Sequence, residues 1–572
     1  MREPISSLHM RPVGPIFTAI LVLSTLASTG LGQTTDLGQQ FVSAENLTVQ
    51  GTLDRVIRNN ESLQAKILDA EIARRQYKAE KGVFEPAVVG SYDRIDNHRE
   101  NTLEQQAALG NLGLGRKDFS ERNDLWKGGL ETLSPLGSRF RVGYDLQRLR
   151  NSLNAGIGSE YVTTIGATVT QPLLKNFGLA ANMARIRLAA INSDIAYQDY
   201  RRQLMLTLSR AESGYWDLYF AQEQEQITRD SVEIADAVYK DGKARLSVGK
   251  SAELEVLEAQ AGVSLRKARR SEASQKLAEA AAQLNSLISG TLSGTNITLR
   301  ATEVPKITQV PLDYYDSCSA AYTNNPDYLT KKHQALAENI RLAYSKNQRL
   351  PQLDLKGSYG LNGLGNGVDD ASNDINHAQF PSWSVGIELR IPITGGIRER
   401  NELKAARLSK QKALINLKEI EVQVGNALST AILKVRNLGD SAEDQLSVIS
   451  FHRQLLETQL TRLEAGVIDS KTVLDTEEKF FQARMAHLEN IVAYKKALLE
   501  FELVKGTTLI DRKVDLTKAQ LQGMTEKLLA ENRFSDRDVQ ALQSEVERVY
   551  RARMKNLDVN EKPQTLFEKL FK

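Results

Sequence analysis

Two segments, Arg245-Leu246-Ser247-Val248-Gly249 and Arg462-Leu463-Glu464-Ala465-Gly466, occupy the same place in two long polar-apolar helical patterns. Leu257 lies as far beyond Gly249 as Leu474 lies beyond Gly466, so the two copies share one offset. A glycine between two helical patterns supplies the backbone freedom that a chain reversal needs. The chain therefore reads as two helical hairpins of one design. That duplication excludes the three or four unrelated globules that 572 residues would otherwise suggest.

The repeat extends well beyond the tips. Residues 47–82 carry Leu53, Val56, Ile57, Leu63, Ile67, Ala70 and Ala73 at helical spacing, interrupted at Asn59-Asn60. Residues 312–347 repeat this with Asn324-Asn325 at the interruption, and Asn60 precedes Pro86 by the same distance as Asn325 precedes Pro351. After each proline comes a short strand-like run containing Gly-Ser-Tyr, at Gly90-Ser91-Tyr92 and at Gly357-Ser358-Tyr359. Leu204, Leu208, Ala211, Tyr215 and Leu218 then form a heptad-like seam, matched by Val424, Leu428, Ala431, Val435 and Leu438. At 1.5 Å per residue, helices over 179–244 and 398–462 would each be about 100 Å long, and the returning helices over 251–288 and 470–505 about 55 Å. The expected solution is that the first helix of each half stacks end to end on the shorter returning helix. Rods of such length fit a cylinder and not a globule.

The strands alternate. From Trp383 to Ile393 every odd position is apolar and every even one is small, charged or proline. Leu353, Leu355, Tyr359 and Leu361 behave likewise, as do Phe140, Val142, Tyr144 and Leu146. A period of two puts one set on each sheet face, the requirement of a transmembrane barrel with a wet lumen, though a soluble half-buried sheet shows the same pattern. One chain holds too few strands to close such a barrel. Polar stretches 93–124, 148–159 and 362–380 read as long loops. Within the first, Gly110 to Lys117 lacks the Gly-Lys-Ser/Thr ending of a phosphate loop and is not read as one.

Composition removes several function classes. Lys and Arg total 74 against 71 Asp and Glu, so no basic surplus points to nucleic acid. Cys318 stands alone and the six histidines are scattered, which leaves no disulfide, metal site, cofactor site or Ser-His-Asp arrangement to expect. An enzyme is not expected. Residues 1–32 read as a secretory signal peptide: basic flank, the apolar run Pro15 to Leu23, and small residues ending at Gly32, the expected cleavage point, with no cysteine behind it for a lipid anchor; the alternative is an uncleaved anchor helix.

Together, the duplicated hairpins, the strand pairs after Pro86 and Pro351, the run Gln171-Pro172-Leu173-Leu174 with Phe177-Gly178, and the twin glycine tips resemble the TolC-like outer-membrane efflux protein family, from about residue 48 to about 510. The resemblance implies an α + β membrane protein with an internal two-fold repeat: a long α-helical coiled-coil tunnel plus a β-barrel shared between three protomers. Expected segments are an N-terminal helix to 82, strands and loops 83–174, a hairpin 175–290, a linker and helix 291–347, strands 348–394, a hairpin 395–510 and a charged tail 511–572 without a functional reading.

Its implied role is a homotrimeric, passive export duct from periplasm to exterior, set in outer-membrane lipid. It would be coupled to a periplasmic adaptor and an inner-membrane pump of RND or ABC type. Tip residues Leu246, Val248, Gly249, Leu463, Ala465 and Gly466 would receive the adaptor. Glu255 and Asp475 would form carboxylate rings at a periplasmic gate; the bland alternative is a pair of solvated helix charges. Leu463 and Ile468 stand where the family carries the Tyr and Arg that tie the tips shut, and Thr472 replaces a second acid. An additional hairpin, Trp126 to Thr132 with Arg139 to Gln147, either extends the barrel or folds beside it. The alternative function is a periplasmic coiled-coil scaffold or adaptor without a pore, which leaves the strands without a purpose. The exported substrate is not encoded in these features.

Overall fold

The computed structural model describes residues 44–104, 106–107, 118–152, 158–288, 298–308, 310–514 and 517–531. The segment expected to be a signal peptide (1–32), the Gly110–Lys117 stretch and most of the charged tail lie outside these residues.

In the first half, strand β1 (Ala44–Leu47) leads into helices α1 (Val49–Asn59) and α2 (Glu61–Lys81). Asn60 ends α1 with extended backbone and its side chain accepts from Leu63 N, capping α2. An asparagine side chain competes with the helix for backbone partners, which is why the rod breaks there. Four strands follow, β2 (Ala87–Glu100), β3 (Asp118–Leu133), β4 (Arg139–Leu149) and β5 (Glu160–Pro172). The turn α3 (Leu179–Asn182) opens the long helix α4 (Ala184–Ser247), and α5 (Glu253–Ile288) returns.

The second half begins with β6 (Thr298–Ala301), parallel to β1. It continues with α6 (Tyr314–Asn324) and α7 (Pro326–Gln348), capped at the break by Asn325, then β7 (Gln352–Gly365), α8 (Val368–Asn376) and β8 (Phe380–Arg390). Helices α9 (Ile397–Glu464) and α10 (Ser470–Lys505) form its hairpin, followed by α11 (Thr508–Asp511) and α12 (Lys518–Glu531). Among the described residues no helix is long and apolar enough to cross a membrane.

The rods stack as expected, with one refinement. Asn59 Nδ2 donates to the last carbonyl of α5, at Ile288, over 2.9 Å, and Asn325 Nδ2 donates to Val504 O near the end of α10 over 2.8 Å. The asparagine breaks thus satisfy carbonyls that a helix end leaves orphaned. Beyond the break α2 and α7 continue along the long helices, whereas α1 packs across the junction against both α4 and α5, so only the second helix of each pair extends the rod. Packing places the rods in the order α2 over α5, then α4, then α7 over α10, then α9. The core sits between them: Leu204, Leu208, Ala211, Tyr215 and Leu218 of the predicted seam are buried against Leu53, Val56 and Leu63. Of the tail, α12 packs on α2 and buries Leu521.

The strands form one antiparallel sheet in the order β2-β3-β4-β5-β7-β8. The additional hairpin is therefore in the sheet. Two loop expectations are corrected. Residues 93–100 and 118–124 are strand, paired through Asp93↔Leu125 to Glu100↔Asp118. Alternation disappears there because polar cross-strand pairs replace apolar ones, as in Arg122–Asp96 (2.9 Å) and Asn97 Nδ2 to Glu121 Oε1 (3.0 Å). Within 362–380, α8 packs on β5 and β7; Thr163 Oγ1 donates to Ala371 O over 2.9 Å.

Candidate gate and docking site at the helical tips

Both tips close with the same backbone geometry. Gly249 (φ 78°) and Gly466 (φ 76°) take the left-handed conformation that glycine adopts at least cost. Gly249 N donates to Leu246 O and Lys250 N to Arg245 O, at 3.0 and 2.8 Å; Gly466 N donates to Leu463 O and Val467 N to Arg462 O, at 2.8 and 3.0 Å. This paired bonding satisfies the last carbonyls of α4 and α9 and turns the chain back.

The predicted docking residues divide. Val248 is 66% exposed, Gly249, Ala465 and Gly466 are also exposed, and Leu246 is partly so. Leu463 is not available to a partner: at 3% exposure it is core, clustered with Val238, Val263, Leu456 and Val473, and Ile468 packs half-buried against the same cluster. The correction has a simple cause, since Leu463 lies on the face of α9 that meets the first hairpin. Val467, 64% exposed and not singled out from the sequence, takes its place on the tip surface. A groove of about 1230 Å³ runs between the tips, lined by Asp241, Arg245, Val248, Glu464, Val467 and Asp469 among others.

The two predicted gate carboxylates are not brought together by any described contact. Glu255, in the first turn of α5, reaches across to the second tip: its Oε1 accepts from Ser470 N and Ser470 Oγ, both at 2.9 Å, and its Oε2 from Ser251 Oγ at 2.7 Å. It thus sits at the N-terminus of α10, where a negative charge is favoured. Burial pushes its pKa up, but the bonds from Ser251 and Ser470 outweigh burial, and the carboxyl lies below its ordinary value. A depressed carboxylate stabilises above the unfolded pKa of about 4.3 and loses that contribution as pH falls through the folded value. The expected result is that the protection factor of the Ser470 amide, its exchange relative to unstructured chain at the same pH, holds from pH 7 to about pH 5 and falls only in more acid solution. Glu255→Ala should remove the plateau. Asp475, on α10, is exposed.

Several ties between the hairpins escaped the sequence reading, three of them toward the tips. Arg245 Nη2 donates to Leu463 O while its Nε pairs with Asp241 at 2.9 Å. Arg269 meets Glu478 at 2.7 Å. The third is buried: Arg266 and Glu477, with side chains 5% and 2% exposed, pair between α5 and α10. Ser231 of α4 donates to Glu477 Oε1 at 2.5 Å, Arg266 Nε donates to Oε2 at 2.7 Å, and Arg266 Nη2 also reaches Leu474 O at 3.1 Å. A signal existed. Arg266 continues the buried series Val256, Ala259, Val263, and Glu477 falls between Val473 and Phe480, so each charge occupies a core position of its helix.

Sheet faces complete the site. Residues paired across all six strands put Val88, Leu130, Val142, Ala167, Tyr359 and Trp383 on one face, with Ile165, Leu361, Val385 and Ile387 beside them. Several of these are more than half exposed in the protomer. The other face carries Lys127, Asp145, Thr164, Asn362 and Ser384. A sheet apolar on one side and polar on the other, continued by long rods that reverse at glycine turns, fits a membrane-embedded β part on a helical stem.

Comparison with known proteins agrees. The sequence pattern described as "Outer membrane efflux protein" matches residues 52–290 and 318–506, and the chain belongs to that family. It is 23% identical over 501 residues to Outer membrane protein OprJ of Pseudomonas aeruginosa, covering 86% of this chain and 90% of the relative. Over 336 residues it is 23% identical to Protein CyaE of Bordetella pertussis, covering 59% and 69%. The fold is similar to the Campylobacter jejuni CmeC outer membrane channel (TM-score 0.57, 14% identity, 82% of this chain and 90% of that one). It is also similar to CusC (TM-score 0.54, 16% identity, 84% and 99%). The protein is an outer-membrane efflux channel whose helical tunnel lies in the periplasm.

Proposed function

We propose that three copies of this chain assemble into one passive export duct, which a periplasmic adaptor and an inner-membrane pump of RND or ABC type load at the tips. One observation carries the reading: the protomer is open at the same two sides in both layers. β2 and β8 are the unpaired sheet edges, and the rods continuous with them, α2 over α5 and α9, are the outermost rods. Along α9, Leu408, Ile415 and Val422 recur every seven residues and stay exposed, and on α5 Leu254, Leu257 and Leu265 are exposed as well. Apolar seams on the outer rods are what neighbouring rods cover. A coiled-coil scaffold without a pore would leave the apolar sheet face uncovered. The duct needs no catalytic group, since the pump supplies the energy.

In this reading the adaptor meets Leu246, Val248, Gly249, Ala465, Gly466 and Val467. The gate keeps two carboxylates with different tasks: Asp475 contributes a ring of charge, and Glu255 straps the two tips of one protomer together. Planar-bilayer recordings separate these roles. Asp475→Ala should lower cation preference with unitary conductance otherwise similar, whereas Glu255→Ala should raise the open fraction by loosening the strap. Channels indifferent to both changes would sink the gate assignment. Failure to form channels by folded protein would return the weight to the scaffold.

A further inference from the structure

We propose that the β3–β4 hairpin is lipid-facing wall, so that three copies close an eighteen-stranded barrel in which the β2 edge of each copy pairs with the β8 edge of the next. The inference rests on the three-copy reading above and adds the size of the exit.

Three independent features put the hairpin in the wall. First, Trp126 and Leu130 of β3 and Phe140, Val142, Tyr144 and Leu146 of β4 fall on the same face as the apolar residues of the other strands: Leu130 pairs with Val142, Val142 with Ala167, Ala167 with Tyr359 and Tyr359 with Trp383. Leu130 and Val142 are each 54% exposed, so nothing in the protomer covers them. Tyr92 and Trp126 stack on that face at 5.4 Å between ring centroids, the kind of aromatic pair found near a membrane boundary.

Second, a row of glycines runs through the hairpin. Gly129, Gly143, Gly166 and Gly360 lie side by side in register on the polar face of four successive strands. A Cβ at the first three would lie 2.7 to 2.9 Å from a carbonyl oxygen of the adjacent strand. A row of glycines in close backbone approach marks a shared bend of the strands, and two of the four belong to the hairpin.

Third, the hairpin follows barrel topology. Its turn, Ser134 to Ser138, lies at the helical end, where Gly178 N donates to Leu136 O at 3.0 Å, and an added Cβ at Gly137 (φ 95°) would lie 2.4 Å from Asn176 O. Short turns on the periplasmic side and longer connections outside are the barrel pattern. With six strands per copy, β2 of one chain runs antiparallel to β8 of the next, so the ring closes without a parallel pair.

Perimeters support the count. Strands about 4.8 Å apart and tilted about 40° each take up about 6.3 Å of perimeter. Three six-stranded sheets then give a ring of about 110 Å, against about 75 Å if the hairpin stood outside it. A ring of four rods per copy, at about 8–10 Å between axes, measures about 95–120 Å. The wider barrel continues the tunnel without a step. Allowing about 5 Å of side chain on each side, its lumen is about 25 Å across, and a barrel lacking the hairpin would leave about 14 Å. The exit is therefore shaped for cargo of greater cross-section, or for loops folded into it.

The test is a nitroxide scan of β4 in lipid vesicles, with the mass of the detergent-extracted particle measured by native mass spectrometry. Labels at Phe140, Val142, Tyr144 and Leu146 should be reached by oxygen dissolved in the bilayer. Those at Arg141, Asp145 and Gln147 should be reached by a water-soluble nickel complex, in a particle of three chains. Three chains without alternation would place the hairpin off the wall and overturn the eighteen-stranded barrel while leaving the trimer intact. Alternation in a particle of another mass would overturn the count through the three-copy reading. Should labelled β4 fail to fold, native Trp126 reports instead, in a Trp216→Phe, Trp383→Phe background. Quenching by brominated acyl chains supports the proposal, and quenching by aqueous iodide alone overturns it.

Discussion

Glu477→Ala is expected to weaken the tip-proximal part of the helical stem by about 3–5 kcal/mol, the cost of leaving a buried charge without its partner. The removed carboxylate holds the Arg266 guanidinium and the Ser231 hydroxyl, all three nearly inaccessible to water. In the variant Arg266 keeps Leu474 O and Gly262 O but no counter-charge closer than Glu478, at 3.9 Å. Hydrogen exchange is the suitable measurement because it resolves local opening: amides of α4, α5 and α10 around these residues should exchange about two to four orders of magnitude faster, while those of the sheet stay unchanged. The double variant Arg266→Met, Glu477→Leu should recover most of the loss, because a buried pair roughly balances its own desolvation. If the single variant matched the native protein, the pair would have to be solvated in the assembly.

The second large effect is expected on the sheet. Ile387 lies on the apolar face and is 71% exposed in the protomer, so arginine there would meet hydrocarbon. A charge near the bilayer midplane of a barrel costs about 2–4 kcal/mol, against little on the lumen side. Ile387→Arg should lower the urea midpoint for folding into vesicles at fixed protein concentration. Ser384→Arg, on the opposite face, where the serine hydroxyl meets the Ser358 hydroxyl at 2.7 Å, should shift it far less. Equal shifts would mean that the apolar face is not against lipid.

These two sites show how the molecule divides its work. In the sheet, a period of two sorts residues between an apolar and a polar face, and the backbone ladder fixes neighbours by register. In the stem, the halves are held by specific polar ties near the tips: Arg245 to Leu463 O, Glu255 to Ser470, Arg266 to Glu477. Directed bonds of this kind can be exchanged for others when rods slide, whereas apolar seams such as that of Leu204 and Leu208 favour one register.

The sequence alone determined whatever a local pattern encodes. Glycine tips at 249 and 466, asparagine breaks at 60 and 325, the heptad seams and the alternating strands were all legible, because helix period, strand period and left-handed turns are properties of adjacent residues. Strand segments 93–100 and 118–124 were not, since polar pairing across strands leaves no apolar period to read. Only the tertiary structure decided which face met which neighbour. It placed Leu463 in the core and Val467 on the surface, and it joined Glu255 to Ser470 and Arg266 to Glu477 across more than two hundred residues. It also set the additional hairpin within the sheet. Periodicity tells a residue which side of its own helix or strand it occupies; the identity of the partner on that side is fixed only when the rods and strands pack.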